Sequence, residues 1–148
     1  MRAARLLETA IYGPDLESLE RFYVDLLGLE PVARTTGRNV VLRCGAAALI
    51  LFDPTASGAP GGPFPPHTGP GRGHIAFTVP LSEFPAWRAR LTAAEVAIER
   101  EVTWPDGHTS VYFRDPAGNS VELAPPTLWN GLGYRAVEAI ARGTSPVA

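Results

Sequence analysis

Glu122 stands between Val121 and Leu123, in the second arm of the stretch Ser110-Val111-Tyr112-Phe113-Arg114-Asp115-Pro116-Ala117-Gly118-Asn119-Ser120-Val121-Glu122-Leu123. A carboxylate inside an apolar strand is costly to bury unless it is paired or bound to a cation. Two other ionisable residues share its setting. Glu8 follows Leu6-Leu7, and His74 precedes Ile75, each within strand-like alternation. One imidazole and two carboxylates are a competent ligand set for a divalent cation, with positions left for water or substrate. The mixture of oxygen and nitrogen donors suits Fe(II), Mn, Ni, Co or Zn. A carboxylate released from such an ion can also move a proton, so Glu122 and Glu8 are candidate catalytic bases. Taken singly, each residue has a plainer role open to it. His74 can be a hydrogen-bonded strand residue, Glu8 an edge residue in water, and Glu122 the partner of an arginine.

The elements that must carry these residues occur twice. Residues 4–12 alternate as a strand, with Leu7, Thr9 and Ile11 on one face and Glu8, Ala10 and Tyr12 on the other. Gly13-Pro14-Asp15 ends it. A helix follows, with Asp15 at its N-terminus, an apolar face of Leu16, Leu19, Phe22 or Tyr23, and Leu26, and Gly28 as its stop. Strands are expected over 29–34, 38–44 and 47–53. The order restarts at His74 with a strand over 74–79. Next come a helix with Ser82 as N-cap and Phe84, Trp87 and Leu91 on its apolar face, a strand over 96–103, and a hairpin turning at Asp115-Pro116-Ala117-Gly118-Asn119. A slide of 66 residues lays Glu8 on His74 and Pro14 on Pro80; further on the offset is 71, which lays Leu42 on Phe113 and Arg43 on Arg114, and a one-residue difference in the turn then lays Ile50 on Glu122.

The expected fold is therefore α+β: two paired βαβββ modules, residues 1–53 and 74–126, forming a curved mixed sheet; if the two sheets face each other, Glu8, His74 and Glu122 converge inside a central cup. Residues 54–73 read as a linker or flap, since Pro and Gly fill twelve of those twenty positions. His67 lies there, placed to close over a ligand. The tail, 127–148, is expected to carry a short helix over 132–142.

Composition narrows the chemistry. A chain of 148 residues suffices for one well-buried domain or two small units sharing a core. A net charge of -2 without charge blocks gives no footprint for nucleic acid or an anionic membrane surface. All 13 basic residues are arginine, which excludes a lysine Schiff base and a Gly-Lys-Ser/Thr phosphate loop. Cys44, the single cysteine, cannot form an internal disulfide and suits a reducing compartment, so the expected location is cytoplasmic. Glu8 interrupts the N-terminal apolar run, so no signal peptide is expected. No run approaches the roughly 20 apolar residues that span a bilayer.

These motifs resemble the vicinal oxygen chelate superfamily, which includes glyoxalase I, extradiol dioxygenases, and fosfomycin and bleomycin resistance proteins. The resemblance is carried by Asp15-Leu16 with Phe22-Tyr23 and Leu26-Leu27-Gly28, by Gly73-His74-Ile75-Ala76-Phe77, and by the segment from Phe113 to Leu123. It implies glyoxalase-like lyase or isomerase chemistry on a small oxygenated substrate through a metal-stabilised oxyanion, with ligand positions on Glu8, His74 and Glu122. A fourth position used in glyoxalase I falls on Ile50, which cannot coordinate. Two other functions belong to the same family: bleomycin-resistance-type sequestration without turnover, and extradiol dioxygenation, where Glu8 stands in place of a histidine. The two modules can pair with each other or with those of a second chain, and the 54–73 segment permits either; the resemblance also implies a homodimer, in which the metal is often shared between Glu8 of one subunit and His74 and Glu122 of the other. Ser110 and Tyr112 have the face parity of substrate contacts in fosfomycin-type relatives, which is equally the parity of a solvated strand face. Phe52 and Trp104 are candidate apolar walls of the substrate site.

Overall fold

A computed structural model describes residues 2–69, 72–104 and 107–129. Two four-stranded sheets with short helices form an α+β fold, one sheet to each βαβββ repeat. The first contains β1 (Glu8–Tyr12), β2 (Glu30–Thr35), β3 (Asn39–Cys44) and β4 (Ala47–Phe52) in the order β1-β4-β3-β2, with β1 parallel to β4 and the other pairs antiparallel. The second contains β5 (His74–Thr78), β6 (Ile98–Thr103), β7 (Thr109–Arg114) and β8 (Ser120–Ala124) in the matching order β5-β8-β7-β6. Two compact units result. Among the described residues, one runs up to His74 and includes Arg114–Ser120; the other is made of those from Ile75 to Phe113 and from Val121 to Trp129. The Asp115–Asn119 turn thus packs within the first unit, apart from most of the two arms it joins.

In the first unit the register aligns Ile11 with Leu51, Leu51 with Val40, and Leu49 with Leu42. All five are buried, beneath α1 (Leu16–Arg21) and its continuation over Phe22–Leu26. Asp15 caps α1, accepting from the Ser18 N–H at 3.0 Å and the Ser18 hydroxyl at 2.6 Å. These bonds hold its carboxyl below the usual aspartate range. The apolar pattern left Phe22 or Tyr23 as the inward residue. The helix widens to a π-helix at Phe22–Leu26, which rotates Tyr23 fully into the core and leaves Phe22 half-buried. In the second unit, Phe84 and Leu91 of α3 (Phe84–Ala93) are buried, as are Val111, Phe113, Val121 and Leu123 of β7 and β8.

Three expectations need correction. Ser82 does not cap α3. It lies exposed in a 3₁₀ turn, Leu81–Glu83, and Pro85, with its fixed φ, sets the first turn of the helix. The 54–73 segment is not bare of packing: Asp53 accepts from the Ala56 N–H at 2.7 Å to cap α2 (Pro54–Gly58), whose Ser57 is buried. Strand β1 begins at Glu8, and residues 2–7 are exposed. The expected helix over 132–142 lies outside the described residues. Among the described residues no helix is long and apolar enough to cross a membrane.

The Asp15 cap predicts a pH signature. A carboxyl whose folded-state pKa is depressed contributes stability that is complete above its unfolded pKa and is lost as pH falls through the folded value. Asp15→Ala should therefore lower the urea midpoint at neutral pH, and the gap to the wild type should close in acid. A gap that persists once Asp15 is protonated would contradict the cap.

Candidate functional site

Each sheet has a second face, turned away from its helix. On the first sheet it carries Glu8, Ala10 and Tyr12 of β1, paired across to Ala48, Ile50 and Phe52 of β4. Glu8 is exposed at one end of this face, and Ile50 is buried in its middle. At the other end Tyr12 and Phe52 stack with ring centroids 6.1 Å apart, and His67 fills the corner. The His67 Nδ1 lies 2.9 Å from the Tyr12 hydroxyl, and its ring meets Phe52 edge-on at 4.5 Å. Its backbone N–H donates to Ser57 O at 3.0 Å, so His67 is pinned and not carried on a loose flap. The structure thus joins two predicted residues, Phe52 and His67, through a third, Tyr12, that alternation had placed only as a face residue. Ala10, Tyr12, Gly69, Arg72 and His74 line an open cavity in the same unit.

In the second unit the buried Ser110, Trp104 and Glu122 and the half-buried Tyr112 form a polar set. Ser110 is fully buried and its hydroxyl accepts the Trp104 indole N–H at 2.8 Å. Trp104 also packs with Val102, Ala124 and Leu128, so it is a wall with its one polar atom committed. Glu122 is 4% exposed. Tyr112 hydrogen-bonds to it; burial first, and then the Glu122 charge, push the Tyr112 phenol above its usual range. The face that alternation left open to solvent is therefore covered. Glu122 Oε1 accepts no hydrogen bond among the described residues.

His74 opens β5 and is exposed, with Nδ1 3.2 Å from Ser120 O. Its neighbour Gly73 donates to Asn119 Oδ1 at 2.8 Å. Asn119 and Asp115 are buried and hydrogen-bonded to one another, and the Tyr23 hydroxyl donates to Asp115 at 2.9 Å. Burial and the Asp115 charge push the Tyr23 phenol far above its usual range. Reasoning from sequence found Asp115 and Asn119 only as turn formers. The signal that they do more is a polar residue at each end of a Pro-Ala-Gly turn, able to bond across it.

A model of the Glyoxalase/Bleomycin resistance protein/Dioxygenase superfamily matches residues 5–123. The chain belongs to this superfamily. Among solved structures, lactoylglutathione lyase from Agrobacterium tumefaciens is 40% identical, with a TM-score of 0.84, over 88% of this chain and 100% of that one. A fosfomycin resistance protein from Listeria monocytogenes is 20% identical (TM-score 0.66, over 86% and 94%). A glyoxalase/dioxygenase from Nostoc punctiforme is 22% identical (TM-score 0.60, over 81% and 89%). These last two share the superfamily fold.

Glu122 offers a buried carboxylate, His74 an exposed imidazole and Glu8 a carboxylate open to solvent, each a donor type that divalent cations accept. Among the described residues of one chain, no three His, Cys, Asp or Glu side chains are grouped so as to hold an ion. The Tyr112–Glu122 contact makes its own prediction. Tyr112→Phe takes a donor from a buried carboxylate and should cost about 1–3 kcal/mol of stability in urea unfolding. An unchanged midpoint would contradict the contact.

Proposed function

We propose that this chain is a glyoxalase-like, metal-dependent lyase or isomerase of the cytoplasm that acts on a small oxygenated substrate as a homodimer. Glu122 carries the reading: a carboxylate at 4% exposure in the apolar strand β8. The fold has no need of a charge there, and a divalent cation does. The 40% identity to a lactoylglutathione lyase over that protein's whole length supports the same class. Glu8, His74 and Glu122 would hold the ion, which when bound supplies Lewis-acid stabilisation of an oxyanion on the substrate.

The chain's own residues supply the rest. Tyr112 donates to Glu122 and orients its carboxylate. A carboxylate of Glu122 or Glu8 takes the proton that leaves the carbon beside the substrate carbonyl, and returns it to the product. Ser110 and Trp104 hold the strand face rigid beneath, and Phe52 with His67 form an aromatic wall for the substrate. One observation favours a second copy as the source of Glu8: it borders an open cavity lined by the exposed Leu7 and Val32. Such apolar exposure beside a charged ligand is expected at an interface.

A second reading, sequestration of an aromatic ligand without turnover, is favoured by Ile50 at the fourth ligand position and by the Tyr12–Phe52–His67 corner. Metal analysis separates the two. Protein purified without chelator should retain a divalent ion, and Glu122→Ala and His74→Ala should each lose it together with at least about a hundredfold of lactoylglutathione turnover. Full metal retention in both variants refutes the ligand set. Thermal stabilisation of metal-free protein by bleomycin, with no turnover, supports sequestration.

A further inference from the structure

We propose that Asn119 is a positioning residue for His74: acting with the Ser120 carbonyl, it fixes the ring in its Nδ1–H tautomer and leaves Nε2 as the donor atom. The role of that donor atom rests on the metal reading above. The tautomer is a property of the metal-free chain.

A carbonyl oxygen only accepts hydrogen bonds, so the 3.2 Å contact from His74 Nδ1 to Ser120 O places the hydrogen on Nδ1. The neutral ring then carries its lone pair on Nε2. His74 is exposed, and water would compete for this bond if the backbone on either side could move. Two bonds hold it. Ser120 N–H donates to Gly73 O at 2.8 Å, and Gly73 N–H donates to Asn119 Oδ1 at 2.8 Å. Gly73, next to His74, is thereby clamped at both its polar groups.

Asn119 can hold this position because every polar atom of its side chain is engaged. It is 1% exposed. Its Nδ2 donates to Asp115 Oδ2 at 2.8 Å and to Tyr12 O at 3.2 Å, while Oδ1 faces the Gly73 N–H. Acceptors on one side and a donor on the other determine which way the amide points. Asp115 is fixed in turn by the Tyr23 hydroxyl at 2.9 Å, the Ala117 N–H at 3.0 Å and the Asn119 N–H at 2.8 Å. One amide therefore ties the end of β1, which begins with Glu8, to the start of β5, which begins with His74. Outer partners of this kind commonly set both the orientation and the basicity of a ligating histidine.

The test is ¹⁵N NMR of histidine-labelled, metal-free protein at a pH where the ring is neutral. The wild type should show His74 as the Nδ1–H tautomer, with slow exchange of the otherwise exposed Gly73 amide. Asn119→Ala should give a mixture of tautomers and a Gly73 amide that exchanges at least about tenfold faster. A wild-type Nε2–H tautomer overturns the proposal, as does a folded Asn119→Ala with the wild-type tautomer. Should Asn119→Ala fail to fold, the wild-type measurements still decide: fast Gly73 exchange overturns the clamp. Chelator competition with Zn(II) alone reads the consequence, and Asn119→Ala should weaken affinity about 10–100-fold. If His74→Ala binds Zn(II) as the wild type does while the tautomer behaves as expected, the metal reading fails and the positioning role stands.

Discussion

Asp115 and Asn119 close a turn in which a carboxylate, a carboxamide and a phenol are buried together. The carboxylate accepts from Tyr23 and from the turn's own backbone, and the carboxamide reaches Tyr12 O and Gly73 N. Buried polar groups are stable only when their partners are complete, which makes such a network demanding of geometry. Its bonds run to the helix after β1, to the end of β1 and to the start of β5. The space around it is as constrained as the bonds. A Cβ on Gly13 would come within 2.6 Å of Ala117, and Gly118 at φ +82° leaves room for Arg72 beside it. Loss of one partner would strand others, so the placement of His74 depends on Tyr23, far away in the chain.

The same logic separates the two kinds of charge in the molecule. Asp115 is a buried carboxylate saturated by donors from its own unit, and its role is architectural. Glu122 is a buried carboxylate held by Tyr112, in a strand whose neighbours are apolar. Ile50, in the strand of the first repeat that corresponds to β8, is also buried, so the two repeats differ in carrying an apolar side chain in one and a carboxylate in the other.

Much of this was legible in the sequence, because the information is local. Period-two alternation placed Glu8 with Ala10 and Tyr12, and the slide that matched Glu8 to His74 reflected two sheets of the same strand order. What was not legible depends on distant partners or on departures from regular geometry. The bonds of Asn119 reach residues 46 and 107 positions away, and its residue type alone suggests only a turn. A 3.6-residue period cannot choose between Phe22 and Tyr23, because the π-helix breaks that period where they lie. Pro54 reads as the start of a linker or flap and is the first turn of α2. His67 looked mobile because nothing in its neighbours announces Tyr12 and Phe52.

The most direct measurement is anomalous X-ray diffraction from crystals of protein purified without chelator, recorded across the absorption edges of the first-row metals. The account predicts one strong peak per chain at Glu122, with His74 Nε2 and a Glu8 carboxylate among its ligands. A metal peak elsewhere, with the Glu122 carboxylate bonded only to protein, would contradict it.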